Sequence, residues 1–346
     1  MTTAPADVSD DTAPRGPFRV RVTKRTTWLL VQQGCGWGEM SDIPEAEAAR
    51  LLAGAANGSL LPDTFAGRTV AGGLRTAEAD AAAREAGLPL ADWLAERTGR
   101  PVLRRTIPLY ANINRALRTR TPRAAADTAR QAIAAGSATV KVAPFDGLTG
   151  ADRITRGLDI ARAVREAIGP ESILLLDAHH LLTVNQIMLH AAAFNDLRLG
   201  WLEDAVHLDD IEGLRRVRAE IEAPLAGGEF AATPDQVLPA LRSGALDILM
   251  PDVKHAGGPL RVLLLAALAA EHGVAVSPHN PSGPVATAAS AHVSALLPPG
   301  GPPLEFMFGE VPWRGTTVTP PEPMTGATYE LRPEPGIGIT PRTTER

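Results

Sequence analysis

The stretch that decides the fold begins with SILLLDAHH at residues 172–180 and continues through LGWLED (199–204), APLAGGE (223–229), DILMPD (247–252), VAVSPH (274–279) and LEFMF (304–308). Each of these apolar segments carries an ionisable residue at or beside its end: Asp177, Glu203, Glu229, Asp252, His279 and Glu305. Their successive spacings are 26, 26, 23, 27 and 26 residues. A period near 26 fits one strand, one helix and two loops, so each residue is delivered to the same end of a parallel sheet.

Two earlier apolar segments, IPLYA (107–111) and ATVKVA (138–143), extend the series to eight. An open doubly wound sheet would reverse direction midway and scatter the polar ends. Eight segments with a nearly constant period instead predict an α/β fold in which a (β/α) barrel closes and the strand ends converge on one mouth.

The rest of the chain divides around this series. Residues 1–17 lack hydrophobic periodicity and are predicted to be a flexible leader. Residues 18–105 show strand patterns followed by helical patterns and are predicted to form a small α+β region. The barrel is predicted over residues 106–315, and residues 316–346 are expected to return to the α+β region.

Composition excludes several classes of protein. Of 346 residues, 45% are apolar and 21% charged, which is a globular composition, and the net charge of −5 argues against nucleic acid as a partner. The longest apolar run, Val262 to Ala270, is too short to span a bilayer, and we expect no membrane partner. The single cysteine, Cys35, is predicted to be packed in the interior, and its isolation fits a cytoplasmic location.

The converging side chains suggest a metal site and a base. Asp177, Glu203 and Glu229 supply the hard oxygen ligands that Mg²⁺ prefers, although each could instead cap the helix that follows its strand. Asp252 could hold one nitrogen of His279 and raise the basicity of the other, which makes a general-base dyad. The other histidines considered, His207, His255, His272 and His292, are expected to lie in solvent. Lys141 is interpreted as a cation for a substrate carboxylate or, alternatively, as a stem that reaches solvent.

Several fragments together resemble one family. GWGEM (36–40) is similar to the end of a capping-domain strand, and TVKVAPFDG (139–147) to a second barrel strand. LLLDAHH, WLEDA and LAGGEF resemble three metal-ligand strands, and MPDVKHAGG (250–258) and SPHNPSGPVATAAS (277–290) resemble strands that carry an Asp–His dyad. In this order and spacing the chain resembles the enolase superfamily, and within it the mandelate racemase-like subgroup.

The resemblance implies a (β/α)8-like barrel with an amino-terminal α+β capping domain, Mg²⁺, and removal of the proton α to the carboxylate of a small-molecule substrate. Asp177, Glu203 and Glu229 would hold the metal, and His279, oriented by Asp252, would be the base. Lys141 would stabilise the developing charge. Glu305, with Glu310 as a less favoured substitute, would hydrogen-bond a carboxylate oxygen of the substrate. A symmetric homo-oligomer is also expected from the resemblance.

Two departures narrow the reaction. Racemases of this family carry Lys-x-Lys on the second strand, whereas here Lys141 is followed by Val142 and Ala143, which disfavours a mandelate-type racemase. Asp252 stands where muconate-cycloisomerase-like members carry a lysine, and Lys254 is expected on a similar face but further out.

His179 favours dehydration. It follows Asp177 by two residues, as in galactonate-dehydratase-like members, and would protonate the departing hydroxide, whereas His180 is expected to lie outside this chemistry. The favoured function is therefore dehydration of a sugar acid to a 2-keto-3-deoxy acid. A racemase or epimerase and a metal-binding pseudoenzyme remain as alternatives. Asn112 and Asn114 are candidates for substrate binding, or surface residues, beside a capping loop that is expected to be short.

Overall fold

The computed structural model describes residues 13–23 and 26–342. Its amino-terminal unit is a three-stranded antiparallel sheet followed by three helices: β1 (Arg15–Arg21), β2 (Thr27–Gln33), β3 (Gly36–Glu39), α1 (Glu45–Ala56), α2 (Phe65–Glu85) and α3 (Leu90–Thr98). Strand β1 begins three residues before the predicted start of the folded region at Phe18, because Arg15 pairs with Gln32 across a bulge. Residues 1–12 of the predicted leader lie outside the described residues.

A parallel sheet follows. Its strands are β4 (Thr106–Asn112), β5 (Thr139–Val142), β6 (Ile173–Asp177), β7 (Leu199–Glu203), β8 (Leu225–Gly227), β9 (Ile248–Leu249), β10 (Ala275–Val276) and β11 (Leu304–Met307). Each of these strands coincides with one of the eight predicted apolar segments, and β4 extends one residue beyond its segment at each end. They pair in sequential order from β4 to β10, and β11 pairs with the free side of β4, all in parallel. The predicted α/β class is confirmed.

Helices alternate with these strands. They are α4 (Pro122–Ala134), α5 (Arg153–Ile168), α6 (Val184–Leu189), α7 (Ala191–Asn195), α8 (Ile211–Glu220), α9 (Pro234–Ser243), α10 (Pro259–Glu271) and α11 (Pro284–Ser294). Helix α4 illustrates why they form: the Thr121 hydroxyl caps its first turn, proline occupies its first position, and Ala125, Ala129 and Ala132 bury one face.

The two ends of the parallel sheet approach each other at β10 and β11. The described residues contain no backbone ladder between these two strands. Side chains join them instead: Ser277 Oγ donates to the Pro303 carbonyl at 2.8 Å, and Asn280 Nδ2 donates to the Glu305 carbonyl at 3.0 Å. Strands β9 and β10 have only two residues each, since the chain leaves the ladder before Asp252 and His279.

The carboxyl-terminal segment touches both units. It contains a 3-10 helix (Arg314–Thr317) and strands β12 (Val318–Thr319), β13 (Met324–Thr325), β14 (Thr328–Glu330) and β15 (Thr340–Pro341). Strand β14 pairs antiparallel with β4 of the parallel sheet. Further on, Ile337 N donates to Asp80 on α2 at 2.7 Å, and the Gly336 carbonyl accepts from Leu90 N on α3 at 2.7 Å.

The amino-terminal unit also packs directly on the strand-end loops. Glu39, at the end of β3, accepts hydrogen bonds from Gly283 N (2.8 Å) and Ala286 N (3.0 Å) at the start of α11. Gly72 on α2 faces the backbone of Lys254 so closely that a Cβ atom at position 72 would lie 1.9 Å from the Lys254 carbonyl oxygen. Within the described residues, no helix is long and apolar enough to cross a membrane.

Candidate active site

Six buried ionisable side chains lie at the carboxyl ends of the parallel strands, as the 26-residue period predicts. Asp177 and Glu203 end β6 and β7 and are register partners in the ladder. The others follow or lie in β8 to β11: Glu229, Asp252, His279 and Glu305. Because carboxyl ends of parallel strands meet at one edge, residues far apart in the sequence become neighbours here.

Lys141 on β5 points into this cluster rather than to solvent. Its side chain is 1% exposed, and its Nζ lies 2.5 Å from Glu203 Oε1, 2.9 Å from Glu305 Oε1 and 3.2 Å from Asp177 Oδ2. Burial opposes a charged ammonium, but Glu203 and Glu305 outweigh it and hold the pKa of Lys141 well above its usual range. The residue is therefore a fixed cation, and the alternative of a stem reaching solvent is excluded.

The carboxylates repel one another. Burial and the neighbouring Asp177 raise the pKa of Glu203 to about 8. Burial also opposes ionisation of Asp177, but Lys141 and His179 outweigh it and lower the pKa of that carboxyl. Asp204, next to Glu203, has its pKa raised by burial and then by Glu229 and Asp177. The cluster therefore gathers more negative charge than its own cations balance.

The donor set fits a divalent cation of the Mg²⁺ type. Asp177 Oδ2 and Glu229 Oε2 are buried and accept no well-directed hydrogen bond, although Lys141, His179 and His279 lie within ion-pair distance of them. Such oxygens are hard ligands for Mg²⁺. In the described ranges, no three His, Cys, Asp or Glu side chains are already arranged as a metal cluster, and the Lys141 ammonium lies among the carboxylates. Asp177, Glu203 and Glu229 remain the set that would hold the ion.

His279 is bound on both sides. Its Nδ1 lies 3.0 Å from Asp252 Oδ2, as predicted for a dyad, and its Nε2 lies 2.8 Å from Glu229 Oε2. Burial opposes protonation, but Glu229 and Asp252 outweigh it and raise the pKa of His279 well above its usual range. Asp252 fixes the ring so that Nε2 faces the carboxylates.

Lys254 is not further out, as the sequence suggested. It is 1% exposed, and its Nζ lies 3.1 Å from Asp252 Oδ2 and 3.0 Å from Asp42 Oδ2 of the amino-terminal unit, with a further hydrogen bond to Ser282. The strand pattern misplaced it because β9 ends at Leu249, and the chain turns after Asp252, whose Oδ1 accepts from Lys254 N at 2.7 Å. Lys254 thus holds Asp252 through an ion pair and a backbone hydrogen bond.

His179 forms a second pair of imidazole and carboxylate. Its Nδ1 lies 2.7 Å from Asp146 Oδ1, and its Nε2 lies 3.0 Å from Asp177 Oδ2. Burial opposes its protonation, but Asp177 and the hydrogen bond to Asp146 outweigh it and raise the pKa of His179 to about 12. A left-handed backbone (φ 44°) at His179 aims the ring back at the strand end. His180 turns toward Asp204 (3.6 Å) and stacks on His207.

Glu305 is held by three groups. Asn112 Nδ2 donates to its Oε1 at 2.6 Å, Asn280 N donates to its Oε2 at 2.8 Å, and Lys141 completes the set. Asn114 does not face the carboxylates: its Oδ1 accepts from Ala143 N at 2.6 Å. Glu310 lies elsewhere, paired with Arg115 at 3.0 Å. Of the predicted substrate-binding candidates Asn112, Asn114, Glu305 and Glu310, only Asn112 and Glu305 join the cluster.

A cavity of about 450 Å³ has Glu229 and Asp204 in its walls, and another of about 1150 Å³ opens at the amino-terminal unit. The larger cavity lies between the β1–β2 hairpin and the loop after β4, and its walls include Thr26, Asp42, Asn114 and Arg115. The hairpin connection is short, as expected, since β1 ends at Arg21 and β2 begins at Thr27.

Residues 124–345, well over half of the chain, match the family described as Enolase C-terminal domain-like. The chain belongs to the enolase C-terminal domain-like family. The predicted membership of the enolase superfamily is thereby confirmed. A solved member of the enolase superfamily from Salmonella Typhimurium superposes with a TM-score of 0.78 at 19% identity, covering 96% of this chain and 94% of the other. That likeness concerns the fold.

Two relatives of this enolase-family chain are similar in sequence. A protein of Thermoproteus tenax named D-gluconate dehydratase is 30% identical over 81% of this chain and 56% of its own length. A Streptomyces bingchenggensis protein named D-galactonate dehydratase family member is 40% identical over 40% of this chain and 34% of its own length. The matched part of this chain therefore spans about half the length of the first relative and about a third of the length of the second.

Sequence reasoning missed three residues of this enolase-family site. Asp146 holds His179, and Asp42 holds Lys254 from the amino-terminal unit. Asp204 adds a buried carboxylate beside Glu203. Asp204 could have been found, since it directly follows a predicted ligand. Asp42 and Asp146 lie in loops outside the periodic series and gave no signal.

Three minor predictions are wrong. Cys35 is exposed, because it lies in the turn between β2 and β3. His255 is buried at 2% exposure, because Phe65 on α2 and Phe230 pack against its ring and Thr69 hydrogen-bonds it. His292 is buried at 1% exposure, because α11 is enclosed on all sides.

Proposed function

We propose that the chain is a Mg²⁺-dependent hydro-lyase that converts a sugar acid to a 2-keto-3-deoxy acid. One observation carries the proposal: two imidazoles, His179 and His279, flank one row of buried carboxylates, and each is held by its own aspartate. The relatives named D-gluconate dehydratase and D-galactonate dehydratase family member support the same reaction class.

The chain's own groups divide the reaction. Asp177, Glu203 and Glu229 would hold Mg²⁺, which when bound supplies a Lewis acid for the substrate carboxylate. Lys141 contributes fixed positive charge where the enediolate forms, and Glu305, which must be protonated for this role, donates a hydrogen bond to a carboxylate oxygen of the substrate. His279 takes the α-proton at Nε2 and must be neutral to do so; Glu229, whose charge raises the pKa of the ring, would be a metal ligand in the loaded enzyme.

His179 completes the elimination. Its Nε2 gives a proton to the β-hydroxyl as the carbon–oxygen bond breaks, so that water leaves and an enol remains. Tautomerisation of the enol gives the 2-keto-3-deoxy acid. One proton is taken by His279 and one is given by His179, so the overall reaction loses one water and consumes no other reactant.

The proposal also covers the closure of the barrel, the capping domain, the cellular location and the oligomeric state. We infer that the eight parallel strands form a (β/α)8-like barrel, modified at β10 and β11, with residues 18–105 as capping domain. The placement of β11 on β4 supports this closure. The lone cysteine supports a cytoplasmic location, and the family resemblance supports a homo-oligomer without nucleic acid or membrane partners.

A racemase or epimerase is the second candidate. Two imidazoles near one substrate carbon could remove a proton on one face and return it on the other. Against this, Ala143 stands where family racemases carry a second lysine, and its backbone N–H is occupied by Asn114. The two reactions differ in mass balance, because only dehydration loses water.

The first test is turnover of a sugar-acid panel with Mg²⁺ in D₂O, followed by NMR for α-deuterium exchange and by a carbonyl assay for keto acid. We expect keto acid from the wild type and a loss of at least about 100-fold in His279→Asn. The control is His272→Asn, which changes an exposed histidine after α10. Keto acid that persists in His279→Asn contradicts the assigned base. Exchange without water loss indicates the isomerase. Silence across the panel together with a thermal melt that is insensitive to Mg²⁺ contradicts the metal site.

A further inference from the structure

A line of four ionisable side chains runs from the amino-terminal unit to the dyad. Asp42 lies in the loop after β3, and its Oδ2 is 3.0 Å from Lys254 Nζ. Lys254 Nζ lies 3.1 Å from Asp252 Oδ2, and the same oxygen lies 3.0 Å from His279 Nδ1. Carboxylates and donors therefore alternate between a loop of the amino-terminal unit and the imidazole assigned as the base.

One oxygen of Asp252 serves two donors. Its Oδ1 accepts from Lys254 N at 2.7 Å, which leaves Oδ2 for both Lys254 Nζ and His279 Nδ1. Asp252 is 0% exposed and Lys254 1%, so solvent screens these contacts little and they are strong. Because both donors use the same oxygen, an ammonium that interacts more closely with Oδ2 weakens the hydrogen bond from the imidazole.

Asp42 competes with Asp252 for the ammonium. Within residues 13–23 and 26–342, these two are the only carboxylates at ion-pair distance from Lys254 Nζ, which also donates to the neutral hydroxyl of Ser282. A buried ammonium needs carboxylates around it and is here divided between two of them. Without the charge of Asp42, the interaction of Lys254 shifts to Asp252.

Asp42 is the accessible end of this line. Its side chain is 30% exposed and forms part of the wall of the 1150 Å³ cavity, whereas Lys254 and Asp252 are buried. Arg115 at 3.5 Å and His255 at 3.7 Å also face its carboxylate. The backbone of Asp42 is left-handed (φ 78°), a conformation that costs energy in a residue other than glycine and is common at functional sites. The line thus connects the cavity wall to the buried dyad.

We propose that Asp42 and Lys254 are positioning residues for the base. Asp42 holds Lys254 partly away from Asp252, so that Asp252 keeps a strong hydrogen bond to His279 Nδ1. The inference rests on the proposed function, because the base must present Nε2 to the α-carbon while Nδ1 is tied to Asp252. The amino-terminal unit thereby acts on proton abstraction through Lys254, in addition to enclosing the site.

The Nδ1–H proton of His279 tests this without any substrate. In proton NMR of the Mg²⁺-loaded protein, an imidazole N–H bound to a buried carboxylate gives a far-downfield signal, and a stronger hydrogen bond moves it further downfield. His279→Asn assigns the signal by removing it. Asp42→Asn should move the signal upfield, because Lys254 then turns to Asp252. Lys254→Met should move it downfield, because Asp252 Oδ2 then serves the imidazole alone.

Opposite shifts separate positioning from a merely structural role. Packing that is only loosened would weaken the hydrogen bond in both variants and move both signals upfield. The double variant provides the second comparison: in the Lys254→Met background, Asp42→Asn should cause no further shift, because Asp42 acts through the ammonium. Asp42→Asn decides the test by itself if Lys254→Met fails to fold, since an amide keeps the shape of the carboxylate.

The matched control is Asp63→Asn. It removes an aspartate of the same unit, whose carboxylate pairs with Arg68 at 2.9 Å, and it should leave the signal in place. An Asp42→Asn signal that stays or moves downfield overturns the inference, as does a shift by Asp42→Asn that persists in the Lys254→Met background. Absence of a downfield signal in the wild type also overturns it, because the strong hydrogen bond to Asp252 is then missing.

Turnover keeps this inference apart from the proposed function. With a sugar acid that the wild type converts, Asp42→Asn should lower kcat about tenfold with little change in KM. A raised KM with unchanged kcat would assign Asp42 to substrate binding and overturn the positioning role. Keto acid formed equally well by Asp42→Asn would support the dehydratase and overturn the inference. The expected NMR shifts without keto acid from any sugar acid would support the positioning role and contradict the dehydratase.

Discussion

At the scale of residues, the two imidazole–aspartate pairs differ in how far the sequence predicts them. Asp252 and His279 both follow apolar strand segments, so the 26-residue period places them side by side. Asp146 lies in the loop after β5, outside any strand or helix, and its contact with His179 depends on how two loops fold over the strand ends. Hydrophobic periodicity indicates helices and strands but carries no information about loop conformation, so Asp146 was not predicted as the partner of His179.

Asp146 should act as a positioning residue for His179. Because the 2.7 Å contact fixes the ring that aims Nε2 at Asp177, Asp146→Asn should lower kcat for keto-acid formation by about 10- to 100-fold with little change in KM. Asp146→Glu should recover part of the loss. Steady-state kinetics would be compared with Asp159→Asn, an exposed residue of α5. An unchanged kcat in Asp146→Asn would show that the carboxylate does not position the ring.

At the scale of elements, every strand of the parallel sheet overlaps a segment that the sequence predicts as apolar, and only β4 extends beyond its segment. The way elements join was not predictable. Strand β3 places Glu39 against the first turn of α11, and this contact spans more than 240 residues. A carboxylate at a helix amino terminus satisfies backbone N–H groups that otherwise lack partners. No local pattern shows which helix a distant carboxylate will cap.

Removal of this cap should destabilise the protein. Glu39 is 1% exposed, so Glu39→Ala leaves the N–H groups of Gly283 and Ala286 buried without an acceptor. We expect the free energy of unfolding to fall by about 2–4 kcal/mol, and by about 1 kcal/mol in Glu39→Gln, which keeps one acceptor oxygen. Urea denaturation measures both. The control Glu47→Ala, on the exposed side of α1, should change the free energy of unfolding by no more than about 0.5 kcal/mol. If Glu47→Ala loses as much stability as Glu39→Ala, the cap is contradicted.

At the scale of the whole molecule, His292 joins three parts of the chain. It lies on α11, its Nδ1 accepts from Ala91 N on α3 at 3.0 Å, and it hydrogen-bonds the backbone of Ile337 in the carboxyl-terminal segment. The sequence did contain a signal for its burial: α11 (PVATAASAHVS) carries no charged residue that would mark a solvent face. The two partners of the ring come from separate regions of the chain and could not be predicted.

Acid should weaken this junction. Burial lowers the pKa of His292 to about 4 from an ordinary value of 6.5, so the neutral ring stabilises the fold fully above pH 6.5, and that contribution is lost as the pH falls toward 4. The loss amounts to about 3 kcal/mol. Urea denaturation at pH 7 and at pH 4 measures how far the free energy of unfolding falls between the two. This fall should be smaller by about 3 kcal/mol in His292→Gln than in the wild type. His272→Gln should keep the wild-type drop, and identical drops in all three proteins would refute the role of His292.

Gly72 limits how this molecule can be redesigned. At that position the backbone of α2 meets the backbone of Lys254 with no side chain between them. The height of the capping helices above the Asp252 side of the site is therefore set by main-chain geometry and does not vary with the choice of packing residues. A chimera that takes its hairpin and helices from a relative with different substrate preference can exchange the cavity walls freely, but it must keep a glycine at this one position to keep the two halves in alignment.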